Sequence, residues 1–158
     1  MEAGGVGTTR EFADVGVTIE GTIEVAYKWS AGIAGSRFFQ ELRDNARIMG
    51  AKCPQCGRVL VPPRIFCEEC FVDTEEWVEV SNRGVILTFA ESYFGLQGQR
   101  LEEPWYVGVI RLDGSDGGLF HRLVADEKPI EIGGAVEAVF ADERKGHILD
   151  IEHFRTLS

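Results

Sequence analysis

Outside one short segment the chain contains no cysteine: Cys53, Cys56, Cys67 and Cys70 all fall within KCPQCGRVLVPPRIFCEEC. If those four act together, no thiol is left elsewhere to serve as a nucleophile. Histidine is scarce too, and His121, His147 and His153 all sit in strand-like stretches, where they read as surface or hydrogen-bonded residues rather than bases. None of Ser36, Ser81, Ser92 and Ser115 lies in a GxSxG turn, and neither GxGxxG nor GxxxxGK occurs. Neighbouring carboxylates such as Glu75/Glu76 and Glu102/Glu103 read as solvated turns. The chain therefore does not read as an enzyme with catalytic residues of its own.

No apolar run approaches the ~18–20 residues that span a bilayer. The opening MEAGGVGTTREFADVG has neither the basic nor the apolar region of a secretory signal. These absences predict a cytoplasmic protein without membrane contact, where thiols stay reduced and paired cysteines bind metal more readily than they form disulfides. Basic charge is also short, with 16 Lys and Arg against 26 Asp and Glu and a net charge of −10. Four thiolates around one divalent ion would take this to about −12. Such a polyanion repels nucleic-acid phosphates, and no cluster of Lys and Arg offsets that locally.

The four cysteines have the form C-x2-C-x10-C-x2-C. A CxxC turn lets two thiolates converge on one ion, and a glycine just after it relieves the tight backbone. Gly57 follows Cys56 in that way, whereas CEEC is followed by Phe71. Four sulfurs in a tetrahedral shell favour zinc, with rubredoxin-like iron as the other option. A filled shell leaves no open position for catalysis, so the metal reads as structural and as a source of folding energy.

Residues 1–16, polar and Gly-rich, predict a mobile lead-in. Val17, Ile19, Ile23, Val25 and Tyr27 then alternate around Gly21, which predicts a hairpin or extended arm. A helix is expected from Ser36, as N-cap, through Met49, with Phe38, Leu42, Ala46 and Met49 on one face, Phe39 beside them and Gly50 as the stop. After the cysteines the pattern is strand-like to the end. WVEVSNRGVILTFAES reads as one long strand bent at Gly84. PWYVGVIRLDGSDGGLFHRLVAD reads as two strands joined by DGSDGG, and AVEAVFADERKGHILDIEHF as two more. The expectation is a mainly β protein: an N-terminal arm (1–35), a helix (36–50), a four-cysteine zinc ribbon (51–75) and a five-stranded OB-fold barrel (76–158).

The succession SRFFQELRDNARIMG, KCPQCGRVLVPPRIFCEEC and WVEVSNRGVILTF resembles an acyl-CoA-associated family that pairs a rubredoxin-like zinc ribbon with an OB-fold domain, long catalogued as a domain of unknown function. The likeness covers residues ~36–154 and rests on Phe38-Phe39, both cysteine pairs, Pro62-Pro63-Arg64, and Trp77 with Gly84. It implies an accessory subunit whose partner is a thiolase-fold catalytic chain or a hot-dog-fold enoyl-CoA hydratase, with structural zinc and a coenzyme A thioester as ligand of the complex. The arm IEGTIEVAYKWSAGIAG looks more like thiolase-associated members.

Within such a complex, Arg64, held behind two prolines, could meet a CoA phosphate or a partner carboxylate, or bond within the ribbon. Phe94 and Leu96, in the loop joining the first two barrel strands, suit a partner interface or a lid over an acyl chain, whereas Trp105 and Tyr106 read as a strand start packing inward. Two other readings stay open: a nucleic-acid binder, which the charge opposes, and an iron electron carrier, which colour would reveal.

Overall fold

The computed structural model describes residues 9–12, 16–19, 25–26, 28–95 and 98–158. They form two units, Met1–Ser30 and Ala31–Ser158. In the first, β1 (Thr9–Phe12) pairs antiparallel with β2 (Gly16–Ile19), Thr9 opposite Ile19. This hairpin therefore lies mostly within the stretch expected to be mobile. Gly21, Ile23 and Tyr27 lie outside the described residues.

The second unit opens with α1 (Gly32–Asn45). Ala34, Phe38 and Leu42, spaced by four, make its buried face. The helix begins ahead of Ser36, with Ala31 at the N-cap and no side-chain cap. It stops at Ala46, which takes a left-handed φ of 49° and donates its N–H to the Leu42 carbonyl. Gly50 is not the stop. It lies in β3 (Ile48–Lys52), where a Cβ would come 2.7 Å from Val59 Cγ1. Met49 is buried there as a strand residue, so the helical spacing it shares with Leu42 is incidental. Antiparallel pairing of β3 with β7 (Glu76–Val80) claims this segment from the helix.

Between β3 and β7 lie three two-residue strands, β4 (Val59–Leu60), β5 (Phe66–Cys67) and β6 (Val72–Asp73). β4 and β7 flank β3, while β5 and β6 pair with each other. Five strands close the barrel: β8 (Arg83–Phe94), β9 (Arg100–Leu112), β10 (Leu119–Val124), β11 (Ala135–Phe140) and β12 (Ile151–Thr156), in the order β10-β12-β11-β8-β9. β10 and β12 run parallel and the other neighbours antiparallel, the closed five-stranded arrangement of an OB-fold.

The stretch Trp77–Ser92 is thus two strands, with β7 joining the ribbon sheet and β8 starting the barrel. Gly84 marks a close crossing rather than a bulge: a Cβ there would lie 2.2 Å from the Arg111 carbonyl oxygen. The register shift falls one turn of the pleat later, between Ile86 and Thr88.

One core runs through this unit. Phe38 and Leu42 of the helix, Ile48, Val61 and Val80 near the ribbon, and Ile86, Ile110, Leu123, Val136, Ile151 and Phe154 of the barrel share it. Burying a side chain of this size contributes about 1.5–3 kcal/mol. The turn after β9 binds ribbon to barrel: Val59 donates to Asp116 Oδ2 at 2.8 Å and accepts from the Asp116 N–H at 2.9 Å. Beside it a Cβ on Gly117 would lie 2.2 Å from the Val61 oxygen, so only glycine lets the two backbones meet.

Ahead of β12, Asp150 is 3% exposed and accepts from the N–H groups of Lys145, Gly146 and His147 at 2.8, 2.7 and 3.2 Å. Burial pushes its carboxyl up, but these donors prevail and hold it below the usual aspartate range. A depressed folded pKa means stability that is present above the unfolded value and lost as pH falls through the folded one. Asp150→Asn is therefore expected to cost about 2 kcal/mol at pH 7. Denaturant melts should show that difference shrinking as pH falls below the ordinary aspartate value of about 3.9. A constant difference at all pH values would contradict the role given to the charge.

Candidate metal centre

Each cysteine pair occupies a tight turn. β3 delivers Cys53, whose N–H donates to the Arg58 carbonyl at 2.8 Å, and the Gly57 N–H closes back onto the Cys53 carbonyl at 3.0 Å. β5 delivers Cys67, and the Phe71 N–H closes onto its carbonyl at 2.9 Å. The turns match even in their last residue, with φ of 75° at Gly57 and 55° at Phe71. A residue with a Cβ in that conformation costs about 1–2 kcal/mol over glycine. The phenyl ring gives nothing back by burial, for it is 83% exposed.

The four sulfurs lie within 4.8 Å of one another, with Cys56 and Cys67 at 3.8 Å. Ligands about 2.3 Å from one tetrahedral zinc stand about 3.8 Å apart, so donor set and spacing both fit that ion. Cys53 and Cys67 are buried, Cys70 is half-buried and Cys56 is exposed. The Cys56 N–H, 3.5 Å from its sulfur, pulls the Cys53 thiol down to about 6. Cys70 is pushed up to about 12 by the neighbouring Cys56 sulfur and by burial. At Cys56 the Arg58 N–H acts to lower the pKa, but burial and the Cys53 sulfur prevail and raise it. Cys53 thus ionises readily while Cys56 and Cys70 hold their protons. Four thiolates in so small a space need a cation.

The ribbon's surface is a ring of ion pairs. Arg58 reaches Glu69 at 2.8 Å and Glu68 at 3.7 Å, and Lys52 reaches Glu76 at 3.4 Å. Arg64 meets Glu68 at 3.3 Å with its side chain 59% exposed, and its carbonyl accepts from the Thr74 hydroxyl. Its guanidinium therefore sits beside the second knuckle, paired within the ribbon yet open to solvent.

The other candidates lie on the barrel. Phe94 ends β8 opposite Arg100 and is 60% exposed, while Leu96 lies outside the described residues. Trp105 and Tyr106 do not start a strand, because β9 begins at Arg100. Nor are they wholly inward. Tyr106 donates to Glu91 at 3.1 Å, and the Arg122 guanidinium lies 4.6 Å from the Trp105 ring centre. Trp105, Val107, Phe120, Arg122, Leu149 and Glu152 line an apolar groove of about 350 Å³ that the sequence reading missed. Its signal was the alternation in LFHRLV, which turns Phe120 and Arg122 out and Leu119, His121 and Leu123 in.

The histidines serve the fold. His121 is 5% exposed, its Nε2 is 3.3 Å from the Ile148 carbonyl, and burial lowers its pKa. His147 Nδ1 accepts the Leu149 N–H at 3.2 Å and caps the turn before β12. Burial likewise lowers the pKa of His153.

Residues 41–76 match the rubredoxin-like zinc ribbon domain of ChsH2, and residues 77–141 match its C-terminal OB-fold domain. A DUF35 domain-containing scaffold protein of Methanothermobacter thermautotrophicus is 30% identical over 112 residues, 69% of this chain and 83% of the relative. Its counterpart in Methanocaldococcus jannaschii is 28% identical over 107 residues, 66% of this chain and 74% of that one. A crystal structure of a DUF35 family protein of unknown function from Sulfolobus solfataricus superposes with a TM-score of 0.58 at 31% identity, covering 79% of this chain and 84% of the other. A chain of the Ltp2-ChsH2(DUF35) aldolase shares the fold, with a TM-score of 0.54 at 21% identity over 77% of this chain and 93% of that one.

Zinc binding to the metal-free chain at pH 7 should release about two or more protons per ion, since Cys56 and Cys70 hold theirs until a cation replaces them. Calorimetry in buffers of differing ionisation enthalpy measures the number. Acid should accordingly expel the metal. Release of less than one proton would mean that these two sulfurs do not join the site.

Proposed function

Because the chain belongs to the DUF35 family of zinc-ribbon and OB-fold proteins, we propose that it is a non-catalytic, zinc-bearing scaffold subunit of an acyl-CoA-processing enzyme. One observation carries the reading most directly: the chain's four cysteines all converge on one point, which leaves the chemistry to a partner. Cys53, Cys56, Cys67 and Cys70 would hold a structural zinc, whose bound charge locks the two knuckles together. In this reading the zinc ribbon, with β7 as its last strand, and the barrel from β8 onward form one platform for the partner.

The partner is an enzyme of the aldolase or thiolase type. The relatives' role as DUF35 scaffold proteins supports a partnered subunit, and the like fold of a chain in the Ltp2-ChsH2(DUF35) aldolase supports that class of partner. Among these we take thiolytic carbon–carbon cleavage of a 3-oxoacyl-CoA as the reaction. Resemblance to the small subunit of benzoylsuccinyl-CoA thiolase, from anaerobic toluene degradation, makes that thioester our candidate substrate. Arg64 has the exposure to meet a CoA phosphate; exposed Phe94 at the end of β8, with Leu96 two residues on in sequence, has the apolar character to cover an acyl chain. The complex would work in the cytoplasm. A net charge of −10 argues against nucleic acid as ligand.

Affinity purification of the tagged chain from its native cells should recover a thiolase-fold chain in near-equal amount, with CoA-dependent cleavage activity that falls at least about tenfold when this chain is removed. A hot-dog-fold hydratase in its place would keep the scaffold role and change the reaction. Recovery of the chain alone, or with nucleic acid, would overturn the proposal.

A further inference from the structure

Resting on that scaffold reading, we infer that the second knuckle is the ribbon's docking knob, with Phe71 inserting into an apolar socket rimmed by Lys or Arg on the enzyme subunit. Two independent observations meet at this residue. Its backbone holds a left-handed φ of 55°, at the position where the first knuckle has Gly57. Its side chain is 83% exposed, so burial does not offset the strain, which is borne by the Phe71 N–H bond to the Cys67 carbonyl and by the converging cysteines. An aromatic side chain turned to solvent where glycine would make the same turn without strain points to a contact outside the chain. Ile65 and Phe66, on the same hairpin, are 56% and 44% exposed and enlarge the apolar surface.

Charge selects the occupant. Residues 64–76 carry five carboxylates; Glu68, Glu69 and Glu76 are paired with Arg58, Arg64 and Lys52, and the hairpin stays net acidic through Asp73 and Glu75. The four-thiolate zinc site adds further negative charge beneath them. A second copy of the chain, at −10, would bring the same acidic hairpin and be repelled. An apolar pocket with a basic rim satisfies both the ring and its surround.

The test uses the full-length, zinc-loaded chain and the enzyme subunit that co-purifies with it, separated and recombined. Phe71→Gly removes the ring and relieves the backbone together. It should raise the Kd for the enzyme subunit at least about tenfold while the free chain melts no lower than wild type. Glu75→Lys should weaken association and flatten its salt dependence. An unchanged Kd for Phe71→Gly overturns the inference and leaves the scaffold reading standing. So does a free chain that melts lower and loses zinc, because Phe71 would then be holding the knuckle. A wild-type dimer that Phe71→Gly turns into monomers also overturns it, by making a second copy the occupant. If the wild type binds no enzyme subunit, both readings fall.

Discussion

Everything in the ribbon depends on four sulfurs being drawn to one point. β4, β5 and β6 have two residues each, too few ladder bonds to hold a shape in water. The second hairpin contributes Cys67 to the buried set but leaves Ile65, Phe66 and Phe71 outside. Apolar burial therefore does little for it, and convergence on a cation replaces a core. The titration of the thiols says the same thing electrically. Cys53 gives up its proton easily and Cys70 resists, so the full thiolate set exists only around positive charge.

A metal clip alone would leave the ribbon loosely tethered. What fixes it is the turn after β9, where Asp116 and Val59 exchange hydrogen bonds and Gly117 lets the backbone meet Val61. Val61 and Val80 then continue into the same apolar cluster as the barrel interior and the helix. Ribbon, helix and barrel are thereby one packed body with the knuckles at its surface. That is a suitable architecture for a scaffold: rigid inside, with apolar groups displayed on a strained turn, a hairpin end and a barrel groove.

Local chemistry was legible in the sequence where it did not depend on distant pairing. The cysteine spacing carries its own geometry, and the Gly57/Phe71 contrast marks the second knuckle as the one that holds a left-handed φ without glycine. Alternation in AVEAVF and the DGSDGG turn before LFHRLV placed those barrel strands correctly. Misreadings arose where a long-range partner decided the outcome. Met49 continues a helical pattern and Gly50 looks like its stop, but pairing with Glu79 and Val78 makes both strand. WVEVSNRGVIL looks like one strand because nothing local says that its two halves join different sheets. The groove beside Trp105 needed β9, β10 and the turn before β12 together, and no linear pattern joins those three.

The account stands or falls on the coordination of the metal, which zinc K-edge absorption on the full-length protein reads directly. It predicts a single shell of four sulfurs at about 2.3 Å, the distance that the spacing of Cys53, Cys56, Cys67 and Cys70 already accommodates. A shell containing nitrogen or oxygen would mean that the site is open rather than closed. The structural role, and with it the division of labour between scaffold and enzyme, would then be contradicted.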